Sequence, residues 1–99
     1  MLHIINKSPL DRPSLDAVLQ AAAPGGAILL TEDGVYAATR GNAVETRLKN
    51  AMGTLKVYAL GPDLDARGVA DRVTDGVTIV GYDGFVDLVA EHKTNQSWL

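Results

Sequence analysis

The sequence predicts a three-layer α/β fold, in which a mainly parallel sheet of four or five strands is covered by helices on both faces. Short apolar runs alternate with amphipathic stretches along the chain, which is the pattern of strands joined by crossover helices. The runs are almost continuously apolar, a pattern typical of strands buried on both faces of a parallel sheet. We therefore expect buried side chains at Ile4, Leu29, Val57 and Ile79.

Four apolar runs are the predicted strands. They span residues 2–5, 27–31, 55–60 and 77–80, and all are rich in Ile, Val and Leu. Gly, Pro, Asn or Asp residues punctuate them, as expected between regular elements.

The predicted helices lie between and after these strands. Ser14 is expected to cap the first, which ends before Pro24, because a serine oxygen can accept a bond from a free helical N–H. Asp83 is expected to cap the last helix in the same way. Between them we expect a turn leading into residues 35–39, a helix at 43–52 and a short helical piece at 63–67.

Composition limits the possible functions. With 99 residues and 46% hydrophobic content, residues 1–99 are expected to form one domain. The net charge of −3 disfavours direct nucleic-acid binding, since no basic surface is available for phosphates. No apolar run approaches the roughly 20 residues that span a bilayer, and we expect a soluble, cytoplasmic protein with no membrane contact.

The residues offer little for catalysis or cofactor binding. The chain contains no cysteine, which excludes disulfides, thiolate metal sites and a cysteine nucleophile. His3, Ser8 and Asp11 could in principle form a triad, but we favour a packed or hydrogen-bonded His3, and a His92 that complements a helix end. The loops after the first three strands lack the glycine pattern of a phosphate site. We expect no metal and no cofactor.

The order of several segments is more informative than their composition. These segments are residues 1–9, 29–38, 56–68 with its Gly-Pro-Asp-Leu sequence, 83–88, and Trp98. Together they resemble the DsrH/TusB family, and the resemblance covers essentially the whole chain. It implies a DsrE-like fold, of the flavodoxin/Rossmann-like kind.

The resemblance also implies a role in a complex. Family members assemble with homologous DsrE/TusD-like and DsrF/TusC-like subunits into a heterohexamer, which passes persulfide sulfur to a DsrC/TusE-like acceptor. The active cysteine belongs to the DsrE/TusD-type subunit, whereas some DsrH-type members have a further cysteine on the first helix. Val18 stands at that position here. The resemblance therefore implies a scaffold that supports sulfur transfer without carrying sulfur, either for tRNA wobble-uridine thiolation or for sulfur oxidation.

A scaffold must act through contacts, and the candidate contact residues are Asp33, Gly34, Tyr36, Tyr58 and Trp98. For Trp98 and the two tyrosines, packing within the chain is an equally good interpretation. For Asp33, a plain turn with a capping aspartate is the favoured one. We expect the isolated chain to self-associate or to bind poorly defined partners. The alternative functions are a stand-alone small-molecule or nucleotide-binding module and, third, an autonomous enzyme.

Overall fold

A five-stranded parallel sheet forms the centre of the computed structural model, which describes residues 1–98. The strands are β1 (Leu2–Ile5), β2 (Ala27–Leu30), β3 (Lys56–Leu60), β4 (Thr78–Val80) and β5 (Asn95–Trp98). They lie in the order β4-β3-β2-β1-β5, and every neighbouring pair is parallel. The predicted fold class is confirmed, and β5 adds a strand that the polar end of the sequence did not reveal.

Four α-helices connect or follow the strands. They are α1 (Ser14–Ala21), α2 (Glu45–Ala51), α3 (Gly61–Ala66) and α4 (Tyr82–Glu91). Two 3-10 segments, Glu32–Ala38 and Ala70–Arg72, complete the connections. None of the helices within residues 1–98 has the length and apolar character needed to cross a bilayer.

Both predicted helix caps are wrong by one or two residues. Pro13 is the N-cap of α1 and forms no side-chain capping bond, and Ser14 is already the first residue of the helix. Gly81 is the N-cap of α4, and Asp83 lies inside the first turn. At that position its carboxylate still faces the positive end of the helix dipole, which explains why an acid is favourable there.

The two faces of the sheet have separate cores. Side chains of α1, α2 and α3 pack on one face against Ile5, Ile28 and Leu30. Of the helices within residues 1–98, α4 alone packs on the other face, where it covers Leu2 and Leu29. This division follows from the strand order. The chain moves across the sheet in one direction from β1 to β4 and then returns to β5, so right-handed crossovers place α4 on the opposite face.

The predicted burial is confirmed in the centre of the sheet and wrong at one edge. Leu29 and Val57 are 0% and 2% exposed, and Ile4 is only partly buried on the α4 side. Ile79 is 50% exposed. It lies in β4, a three-residue strand with a neighbour on one side only, so fewer residues surround it.

Candidate functional site

The connection after β2 places three of the candidate residues, Asp33, Gly34 and Tyr36, at the carboxyl edge of the sheet. They belong to the 3-10 segment Glu32–Ala38. The N–H of Thr31 donates to the carbonyl of Ile5 at 3.0 Å, which ties the start of this connection to β1. The segment is therefore anchored to the sheet at the point where it leaves β2.

Gly34 fixes how closely this segment approaches β1. A Cβ atom at position 34 would lie 2.1 Å from the carbonyl oxygen of Ile5, a distance that no side chain can occupy. Gly34 is itself buried. Any influence of Gly34 on a partner must therefore act through the shape of the segment.

The N-cap of the segment is Thr31, so the expected capping role of Asp33 is wrong, and Asp33 forms an ion pair instead. Its Oδ1 accepts a hydrogen bond from Nε of Arg67 at 2.8 Å. The side chain of Thr31, the N-cap of the segment, forms no capping bond, and the N–H of Gly34 donates to the carbonyl of Thr31 at 2.8 Å. Arg67 is the C-cap of α3. Local sequence cannot indicate it as the partner of Asp33, because the two residues lie 34 positions apart.

A second acid completes the link between this segment and α3. Oδ2 of Asp63 accepts the backbone N–H of Glu32 at 2.6 Å, and Oδ1 of Asp63 lies 3.9 Å from Nη1 of Arg67. Glu32 has φ 48°, and it is the one non-glycine residue with positive φ in the described part of the chain. Asp63 thus holds Glu32 in a backbone conformation that L-residues adopt rarely.

A groove of about 490 Å³, the α2 groove, lies beside this segment. Its lining includes Ser8, Leu10, Tyr36, Asn42, Val44 and Arg47. Leu10 is 86% exposed and Tyr36 37% exposed, so apolar surface faces solvent here. Asn42 orders one wall, since its Nδ2 donates to the carbonyl of Ala37 at 3.1 Å and its Oδ1 accepts the N–H of Val44 at 2.7 Å.

A second groove of about 490 Å³, the α4 groove, opens on the opposite face of the sheet. Its apolar walls are formed by Ile4, Leu60, Tyr82, Phe85 and Val86, and Glu32 and Asp63 contribute carboxylates. Tyr82 and Val86 are each 64% exposed. The carboxyl edge of the sheet therefore separates two grooves that both contain exposed apolar side chains.

The other two candidate contact residues lie away from the segment. Tyr58 is partly buried beneath α4. Trp98 is partly buried on β5, packs against the larger core, and donates its Nε1–H to Nδ1 of His3 at 3.2 Å. The structure therefore brings Asp33, Gly34 and Tyr36 together and leaves Tyr58 and Trp98 in separate places.

His3 is buried and hydrogen-bonded, as expected. Its pKa is lowered from the ordinary value of 6.5 because burial disfavours the charged imidazolium, with a smaller effect from the positive amino group of Met1. Oγ of Ser8 accepts the N–H of Leu10 at 3.2 Å, so the hydrogen bonds of Ser8 and His3 run to different partners. His92 caps the end of α4, with its Nδ1 2.8 Å from the carbonyl of Leu88.

Within the described residues, no group of three His, Cys, Asp or Glu side chains is arranged to hold a metal ion. At the carboxyl edge of the sheet, the carboxylates of Asp33 and Asp63 both form ion pairs with the guanidinium of Arg67. Sequence reasoning missed the exposed residues Leu10, Tyr82 and Val86. For Tyr82 and Val86, exposure depends on which face of α4 meets the sheet, whereas Leu10 lies in the turn before α1.

Comparison with known proteins gives the family. A family model described as "DsrH like protein" matches residues 7–95. Protein TusB from Pectobacterium atrosepticum is 37% identical over 98 residues, covering 99% of this chain and 100% of that protein. Protein TusB from Enterobacter sp. is 39% identical over 98 residues, again covering 99% of this chain and 100% of that protein.

Solved structures agree on the fold. The ychN protein from E. coli superimposes with a TM-score of 0.80 at 18% identity, covering 98% of this chain and 97% of that one. The protein of unknown function MTH1491 from Methanobacterium thermoautotrophicum gives 0.77 at 17% identity, covering 98% and 96%. At these identities the structures establish the fold, and the family follows from the sequence matches. The chain belongs to the DsrH/TusB family, and this membership implies a subunit of a sulfur-relay complex.

Proposed function

We propose that this chain is a non-catalytic scaffold subunit of a DsrEFH/TusBCD-like heterohexameric sulfurtransferase complex. It supports the relay of persulfide sulfur to a DsrC/TusE-like acceptor. One observation carries the proposal: a chain that matches TusB proteins along 99% of its length contains no cysteine. A persulfide needs a thiolate to hold it, so this subunit acts on sulfur transfer through contacts with its partners.

In the proposed complex, residues 1–99 form one domain that packs against DsrE/TusD-like and DsrF/TusC-like subunits, two copies of each. The DsrE/TusD-like subunit supplies the cysteine. Because thiols stay reduced in the cytoplasm, we place the complex there. The delivered sulfur serves either tRNA wobble-uridine 2-thiolation or dissimilatory sulfur oxidation, and a neighbouring gene for dissimilatory sulfite reductase would select the second.

The preformed segment after β2 supports a scaffold role. Gly34 packs against Ile5 without space for a side chain. Asp33 pairs with Arg67 at the end of α3, and the N–H of Glu32 donates to Asp63 in α3. A segment held in this way loses little conformational freedom when a partner binds. It can therefore orient a neighbouring subunit, and a defined orientation of the reacting sulfur speeds transfer.

The alternative of a stand-alone nucleotide-binding module has less support. A phosphate held at the carboxyl edge of a parallel sheet needs free backbone N–H groups and no opposing charge. Here the N–H of Glu32 is already bonded to the carboxylate of Asp63. Glu32, Asp33 and Asp63 also place negative charge where a phosphate would bind.

The test is co-expression with DsrE/TusD-like and DsrF/TusC-like subunits, followed by co-purification. The parent chain is expected to assemble with them. Tyr36→Ala and Trp98→Ala are expected to weaken assembly, and the amide NMR spectrum of each variant alone reports whether it still folds. Assembly and sulfur transfer at parental levels with a folded Trp98→Ala chain would remove Trp98 from the contact residues. Failure of the parent to assemble with either subunit would refute the scaffold proposal.

A further inference from the structure

Helix α4 presents two stripes of side chains on the side that faces away from the sheet. Phe85, Leu88 and Val89 point towards the sheet, where they pack in the smaller core. The exposed residues repeat at intervals of four, which places each set along one line of the helix. One set is apolar: Tyr82, Val86 and Ala90. The other is acidic: Asp83, Asp87 and Glu91. We call these six residues the α4 outer face.

Apart from Asp83, the acidic stripe does not stabilise the helix. Carboxylates four residues apart on a helix repel each other. Residues 82–91 contain no Lys or Arg, and the ion pairs found within residues 1–98 involve none of the three acids. Only Asp83, in the first turn, interacts favourably with the helix dipole.

The apolar stripe also contributes little to folding. Tyr82 and Val86 remain 64% exposed, so most of their apolar surface stays in water in the isolated chain. Large exposed apolar side chains beside polar ones are typical of protein contact surfaces. Both stripes are therefore better explained by an intermolecular contact than by the stability of this chain.

The charges on this surface indicate what covers it. We propose that the α4 outer face docks a basic amphipathic helix of a partner subunit, an inference that rests on the proposed sulfur-relay complex. Apolar side chains of that helix pack between Tyr82 and Val86, and its Lys or Arg side chains meet the carboxylates of Asp83, Asp87 and Glu91. Helix pairs of this kind combine an apolar seam with flanking opposite charges. The α4 groove continues the surface, since it shares Tyr82 and Val86 and adds the carboxylates of Glu32 and Asp63.

A second copy of this chain is the less favourable occupant. Because α4 contains no Lys or Arg, packing α4 against α4 offers the three acids no cation from the helix itself, and the nearest one, Lys93, lies two residues beyond its end. In a two-fold antiparallel arrangement, the acidic stripes would lie on the same side of the contact and repel each other. Charge complementarity therefore favours a basic partner over self-association at this surface.

The main test neutralises the acidic stripe in the co-expressed complex. The combined variant Asp83→Asn, Asp87→Asn and Glu91→Gln is expected to reduce the co-purified partner by at least about tenfold, the change that roughly 1.4 kcal/mol produces. Val86→Glu, which places a charge in the apolar stripe, is also expected to reduce the amount of co-purified partner. Matched controls are Asp65→Asn, Asp71→Asn and Asp75→Asn combined, and Ala17→Glu, all at exposed positions elsewhere. Parental assembly by both α4 variants would overturn the inference and leave the proposed complex intact.

A second measurement separates this inference from the proposed function. The amide NMR spectrum of the full chain is followed during titration with a synthetic helical peptide of Lys, Leu and Ala, and with its counterpart in which Glu replaces Lys. We expect saturable shifts centred on residues 82–91 with the basic peptide only, and none in the combined neutralised variant. If the parent fails to assemble but shows these shifts, the preference of the α4 outer face for a basic helix stands and the proposed complex fails. Shifts that are absent, or that centre on another surface, would overturn the inference. The spectra also show whether each variant is folded.

Discussion

The two faces of the sheet are covered to very different extents. On one face, α1, α2, α3 and the segment Glu32–Ala38 enclose a core that includes side chains of three central strands. On the other face, α4 alone covers Leu2, Ala27 and Leu29 and leaves Ile4 and Tyr58 only partly buried. We call the first face the closed side and the second face the α4 side. The sheet is thus covered more completely on its closed side, and on its α4 side Ile4 and Tyr58 stay partly accessible beside the exposed Tyr82 and Val86.

The direction of the chain explains this difference. Three successive crossovers deposit helices on the closed side, and only the return from β4 to β5 crosses the α4 side. A sheet of five strands is too wide for one ten-residue helix to cover. A parallel sheet normally has both faces covered. The incomplete cover on the α4 side is therefore a property of this topology, and it leaves apolar surface available to the proposed partner subunits.

The largest expected loss of stability comes from truncating two adjacent leucines, one on each side of the sheet. Leu29 and Leu30 are both 0% exposed, and they face the α4 side and the closed side respectively. We expect Leu30→Ala to cost about 3–5 kcal/mol, and Leu29→Ala about 2–3 kcal/mol because one helix can relax into the space more easily than three. Urea denaturation measures both. Equal losses, or a larger loss at Leu29, would contradict the proposed difference between the sides.

Gly34→Ala tests the close contact on the closed side. The added Cβ would lie 2.1 Å from the oxygen of Ile5, so the segment must move away from β1. We expect a loss of about 1–3 kcal/mol, the usual cost of overpacking. Gly53→Ala is the control, since its Cβ would have one neighbour at 3.6 Å, the carbonyl oxygen of Asn50. Denaturation midpoints that shift equally in both variants would show that the contact does not limit packing.

The buried His3 makes stability depend on pH. Its folded pKa lies below the unfolded value of 6.5, so the unfolded chain binds a proton first as the pH falls. The contribution of His3 is therefore complete above about pH 6.5 and decreases as the pH falls from there towards the folded pKa. Protonation of Nδ1 would also remove the acceptor of the Trp98 hydrogen bond.

Comparison with His3→Gln isolates this contribution, since the variant keeps a polar side chain that does not titrate. Between neutral pH and about pH 5.5, we expect the parent to lose more stability than the variant. Urea denaturation at each pH gives the two slopes. A parent that loses no more than His3→Gln would contradict the assignment.

The smallest effect is expected on the outer side of α4. Val86→Ala removes methyl groups that are mostly in water, so the free energy of unfolding should change by less than about 0.5 kcal/mol. The same substitution is expected to weaken assembly with the partner subunits. A large loss of stability in the isolated chain would mean that Val86 belongs to the core.

The sequence predicted the fold class because the central strands are buried on both sides and therefore read as continuous apolar runs. β5 was missed because an edge strand of polar residues, Asn95–Trp98, lacks that pattern and is held by its pairing with β1. Ile79 was misassigned for a related reason. Its run looks like that of a central strand, whereas its burial depends on neighbours that an edge position does not have.

The candidate site was predicted less completely. The turn at Asp33–Gly34 was recognised, but the ion pair of Asp33 with Arg67 spans 34 residues and depends on the pairing of β2 with β3. The exposure of Tyr82 and Val86 depends on which side of α4 meets the sheet. Long-range pairing and helix orientation are set by tertiary packing, and local patterns do not specify them.

The most direct test of the account is a reconstituted sulfur-transfer assay with and without this chain. The DsrE/TusD-like and DsrF/TusC-like subunits, a persulfide donor and the DsrC/TusE-like acceptor are combined, and intact-mass spectrometry follows sulfur on every chain. The account predicts that adding this chain increases sulfur transfer to the acceptor while its own mass stays unchanged, since it has no thiolate. Stable gain of sulfur by this chain, or transfer that does not depend on its presence, would contradict the scaffold role.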